Sequence, residues 1–84
     1  MTSLLQIVAL MREGRWDEAH NLVQREDSTS AAWLHALLHV QEGGLENAEY
    51  WYGKSGHDFR RRGSLSEELD ALEKSLQRPD NSNR

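Results

Sequence analysis

The segment Glu13-Gly14-Arg15-Trp16-Asp17-Glu18-Ala19 returns 29 residues later as Glu42-Gly43-Gly44-Leu45-Glu46-Asn47-Ala48. The correspondence continues on both sides. Leu4, Leu5, Val8 and Met11 pair with Trp33, Leu34, Leu37 and Val40, and Leu22 and Val23 pair with Trp51 and Tyr52. Self-similarity at such a period marks stacked supersecondary units, each unable to bury its apolar face alone. Apolar residues recur at helical spacing before and after each glycine. Glycine, free of a β-carbon, permits the tight turn at Gly14 and Gly43. Each unit is therefore expected to be a pair of antiparallel helices, with Ala19 and Ala48 letting the second helix approach the first.

Working outward, the pattern predicts helices over about residues 3–13, 15–26, 30–42 and 45–55. Asp27-Ser28-Thr29-Ser30 forms a linker rich in N-cap residues. His57-Asp58-Phe59-Arg60-Arg61-Arg62-Gly63 reads as a loop anchored by Phe59. Ser64 with Glu67 three positions later has the form of a capping box, and opens a fifth helix that carries Leu65, Leu69, Leu72 and Leu76 on one face until Pro79. The expected fold is all-α: two antiparallel helical hairpins plus a C-terminal closing helix, five helices in one domain over 1–78, with 79–84 a disordered tail.

Composition bounds the function. A chain of 84 residues buries only about 60–65% of its unfolded surface. It has no cysteine, so helix packing must supply its stability, with or without self-association. The absence of cysteine suits a reducing cytoplasm, and that location is expected. The apolar start Leu4–Met11 has no basic residue before it and no small-residue cleavage pattern after it, and is too short to span a bilayer. It is expected to be a core helix, with no membrane association. The net charge of −4 argues against nucleic-acid binding, which favours a basic surface.

Gly14-Trp16-Ala19 and Gly43-Leu45-Ala48, with Val23 and Tyr52 one turn on, resemble the helical-hairpin repeats of the tetratricopeptide and Sel1-like superfamily. The resemblance covers about residues 3–55. The period is shorter than that family's usual 34, and only two units are present. The run Ala31–His39, followed by Asn47–Tyr52, also looks like small stand-alone bacterial proteins of unassigned function. What the resemblance implies is protein binding or self-assembly, without chemistry.

Three constellations compete for a role. His35, His39 and Glu42 fall within about 60° of one another on helix 3, on its narrow polar side. Histidines one turn apart with a carboxylate can hold a divalent metal ion, and His20 can add a fourth ligand. The plainer alternative is a solvated helix face with a histidine–glutamate contact. Tyr50, Trp51 and Tyr52 spread over about 200° of helix 4. Leu45, Ala48 and Tyr52 define its inward face, Trp51 flanks it, and Tyr50 points away, to be covered from within the chain or by a partner. Arg60-Arg61-Arg62 is a basic patch able to grip phosphate or RNA, or simply a solvated loop.

Asp17-Glu18-Ala19-His20 matches a helicase nucleotide-hydrolysis motif, but no phosphate-cradling loop accompanies it and the repeat accounts for the letters. The leading expectation is a non-catalytic interaction or self-association module, whose surface residues are Tyr50, Trp51, Phe59, Arg60, Arg61 and Arg62. It needs no cofactor. The alternatives are a small metal-binding protein or metal-dependent enzyme, and a phosphate or RNA binder. Leu38 discriminates: exposed, it would favour a homo-oligomer.

Overall fold

The computed structural model describes residues 2–77, and the expected 79–84 tail lies outside them. Five α-helices make up the fold: α1 (Leu4–Arg12), α2 (Trp16–Val23), α3 (Thr29–Glu42), α4 (Leu45–Ser55) and α5 (Leu65–Gln77). A 3₁₀ turn, Phe59–Arg61, interrupts the connection between α4 and α5, and Asp58 caps it by accepting from the Arg60 amide. Among the described residues there is no strand, and no helix is long and apolar enough to cross a membrane.

The duplication extends to the backbone hydrogen bonds. At the end of α1, the Gly14 amide donates to the Met11 carbonyl and the Arg15 amide to the Leu10 carbonyl. Twenty-nine positions on, the Gly43 amide donates to Val40 and the Gly44 amide to His39. Both glycines take left-handed φ, 79° and 88°. A β-carbon there would meet no neighbour within 4 Å, so the need for glycine is torsional, about 1–2 kcal/mol for any other residue. The two connections thus fold alike, and each reverses the chain into an antiparallel hairpin.

Local chemistry sets the helix starts. Ser3 and Gln6 form a reciprocal capping box on α1, Ser28 accepts from the Ala31 amide on α3, and Ser64 with Glu67 does for α5 what the sequence spacing implies. Helix α2 is shorter than expected. Its last turn tightens into 3₁₀-type bonds, Arg25 to Leu22 and Glu26 to Val23, as the chain swings toward α3.

Helix α3 is the axis of the molecule. Nine consecutive residues, Ala31 to His39, are buried, so it is covered all round rather than along one stripe. Helix α4 runs along one side, α1 and α2 cover others, and α5 lies across α3 and α1 rather than stacking on α4. The closing helix therefore folds back over the first hairpin. Arg12 on α1 pairs with Asp70 and Glu73 on α5, at 3.0 and 2.9 Å. Ala19 and Ala48 are fully buried, as close helix approach requires.

One expectation about packing fails, and one open question is answered. Leu45 is 47% exposed instead of facing inward, because it is the first residue of α4 and sits beside the Gly43-Gly44 turn rather than over α3. Leu38 is fully buried, so the homo-oligomer argument that depended on its exposure has no support there.

Candidate metal centre

The repeat places Trp16 at the start of α2 and His20 one turn later, on the side facing α3. The Trp16 indole donates to the Leu38 carbonyl at 2.7 Å, and its ring stacks on His20 at 4.6 Å. His35 and His39, one turn apart on α3, stack on each other at 5.0 Å. His20 meets both edge-on, at 4.8 and 5.3 Å between ring centroids. Trp51, from α4, lies flat on His35 at 4.0 Å. Two indoles from different helices thus wall three imidazoles.

The nitrogens converge. Nε2 of His35 and Nε2 of His20 are 3.1 Å apart, and the cluster offers one nitrogen from each ring within 4.8 Å of the others. Nδ1 of His39 is 2.7 Å from Oε2 of Glu42, which fixes that proton on Nδ1 and leaves Nε2 as a lone-pair donor. Glu42 therefore supports His39 from behind rather than joining the cluster, as a carboxylate does for a metal-ligating histidine.

Two of the three rings are buried and His20 is half-buried. His35 and His39 are 6% and 8% exposed, which overturns the solvated-face alternative: α2 and the Trp51 indole cover the side of α3 that the helical wheel left polar. The histidine–glutamate contact that belonged to that alternative is present. Burial, reinforced by His20 and His39, pushes His35 down to about 4. Burial and His39 lower His20 as well, partly opposed by Glu42 and Asp17. At neutral pH these two rings are uncharged, the form that binds metal without displacing a proton.

The other expected site residues do not gather. Tyr50 is 58% exposed, so the expectation of cover from within the chain fails; Lys54 sits 5.3 Å from its ring. Phe59 is half-buried against Tyr52, their rings 5.5 Å apart edge-to-face. Arg62 lies 4.0 Å over Phe59 and donates to its carbonyl, and Arg61 reaches Asp58 at 3.7 Å. Arg60 is exposed. Two of the three guanidinium groups are thus occupied by their own loop.

Sequence reasoning missed the indole walls. Trp16 and His20 stand four residues apart, a spacing that stacks side chains on one helix face and could have been read. Trp51 against His35 could not, since it depends on how α4 sits on α3. No family model matches the chain, and neither does any curated protein or solved structure.

Proposed function

We propose that this protein binds one transition-series divalent cation, of the zinc class, through His20, His35 and His39, with Glu42 orienting His39. The observation that carries the reading is the convergence of three histidine nitrogens from two helices, within 4.8 Å, two of the rings buried and the third half-buried between aromatic walls. Zinc–nitrogen bonds of about 2.0–2.1 Å in a tetrahedron hold ligand atoms roughly 3.3 Å apart. The His20–His35 pair is already at 3.1 Å, and the His39 nitrogen lies within 4.8 Å of both. Imidazole ligands without thiolate or oxygen-rich coordination suit zinc, copper or nickel and disfavour calcium and magnesium. Three protein ligands leave one position for water or another molecule.

The test is a thermal melt with zinc chloride and then with chelator. At a free concentration 100 times the dissociation constant, binding to the folded chain stabilises it by about 2.7 kcal/mol, raising Tm by roughly 10 °C or more in a domain this small. Chelator reverses the gain. A melting curve that ignores zinc removes the reading.

A second reading, the interaction module implied by the tetratricopeptide-like resemblance, draws on Tyr50, an exposed aromatic standing edge-to-face with Trp51 at 5.2 Å. Light scattering on wild type and Tyr50→Ser tests its self-association form: a Tyr50-dependent dimer supports it, and a monomer at high concentration dismisses it.

A further inference from the structure

A cavity of about 310 Å³ opens between the end of α2, the start of α3 and α4. His35 lines it, whereas His20 and His39 do not. The cavity therefore meets the imidazole cluster through a single ring. That ring turns Nε2 toward His20, and among the described residues no hydrogen bond reaches its Nδ1. No fully enclosed side-chain nitrogen or oxygen lacks a partner. Nδ1 of this 6% exposed residue consequently faces open space, and the cavity is the space His35 lines.

A histidine that holds a metal through Nε2 carries its proton on Nδ1 and donates it to an acceptor. Glu42 is that acceptor for His39. For His35 the cavity leaves the position open. The rest of the wall specifies what fits. Lys54, Glu26 and Asp27 line it, and none of them forms an ion pair among the described residues. The wall therefore carries one ammonium and two carboxylates without an ion pair, and the Lys54 ammonium, which lies 5.3 Å over the exposed Tyr50 ring, is the one that must swing in to meet a ligand. Trp51 and Ala32 supply apolar surface. The volume lies at the small end of ligand pockets, the size of a single amino acid rather than a peptide or nucleotide.

We infer that this cavity binds a free α-amino acid with an apolar side chain. Its carboxylate accepts from Nδ1–H of His35 and pairs with Lys54, its ammonium sits at Glu26 and Asp27, and its side chain lies along Trp51 and Ala32. The inference rests on the metal reading above and adds a coupling to it. An acceptor on Nδ1–H makes His35 a better metal ligand, and by linkage the metal tightens the amino acid in equal measure.

Calorimetric titration of L-leucine into apo and zinc-loaded protein tests this, with N-acetyl-leucine and leucinamide as probes lacking one charge each. Leucine is expected to bind the zinc-loaded form at least fivefold more tightly than the apo form. Each single-charge probe, and leucine with Lys54→Met, is expected to bind at least tenfold more weakly. Absence of leucine binding to the zinc-loaded protein overturns the inference, as do equal affinities for the three probes or for the apo and loaded forms. A zinc titration without leucine reports on the metal centre alone. Zinc binding with no leucine effect sinks only the inference, and no zinc binding sinks both readings.

Discussion

Two polar clusters flank α3, built from similar parts and opposite in character. Near the N-terminus of α5, the Glu68 carboxylate sits at the centre of a clasp. Its Oε1 accepts from the Tyr52 hydroxyl at 2.6 Å and from the Trp33 indole at 3.3 Å, and its Oε2 accepts from the Gly63 amide at 3.2 Å. His57 stacks on Trp33 at 3.8 Å beside it. Each donor there meets an acceptor, and burial with the Glu68 contact raises the Tyr52 phenol well above its ordinary value. Across α3, three imidazoles face one another instead. Glu42 accepts the His39 Nδ1 proton, and His20 and His35 share a single Nε2–Nε2 contact, so the nitrogens turned toward one another meet no carboxylate. A donor-saturated carboxylate closes a fold. Convergent imidazole nitrogens without a carboxylate among them are the arrangement on which the metal proposal rests.

The largest expected effect breaks the second cluster. His20→Asn, at a half-buried position, removes one of the three proposed ligands and is expected to weaken zinc binding at least 100-fold, while His57→Asn leaves it unchanged. Competition against a colorimetric chelator measures both.

Acidity separates the clusters next. His35 titrates at about 4 when folded, against an ordinary 6.5, so the unfolded chain takes up the proton first. The stability this contributes is complete above about pH 6.5 and is lost as the pH falls toward 4. For His35 the loss between pH 7.5 and 5 is expected to be about 2 kcal/mol, and His20, lowered in the same direction, adds to it. Urea unfolding at each pH reads it, and an unchanged midpoint contradicts it.

Tyr52→Phe sharpens the comparison from the other side. It removes one donor to Glu68 and is expected to cost about 1.5 kcal/mol, seen as a lower Tm, with zinc affinity unaltered. Smaller in effect, Glu42→Gln keeps the shape behind His39 but removes the charge. Zinc affinity is expected to fall about tenfold, with little change in the melting of the apo protein.

Much of this arrangement was legible in the sequence, because the deciding features are local. Gly14 and Gly43 announced the two turns through their spacing, and Ser64 with Glu67 announced the start of α5. The helical wheel also grouped His35, His39 and Glu42, since three positions on one helix have known relative angles. What the wheel could not supply is the surface opposite. It left the histidines on a polar face, whereas α2 and Trp51 close over them. It turned Leu45 inward, although the first residue of α4 is left 47% exposed. The same limit hid the clasp: Tyr52 and Glu68 are 16 residues apart, joined only because α5 folds back across α3 and α1.

The most direct measurement is a long-range ¹H–¹⁵N spectrum of the four histidine side chains during zinc titration. The rings of His20, His35 and His39 should shift together on one equivalent of zinc, with metal on Nε2 and the proton on Nδ1 for His35 and His39, while His57 stays still. A spectrum in which His57 responds alone, or in which no ring moves, would contradict a metal centre between α2 and α3.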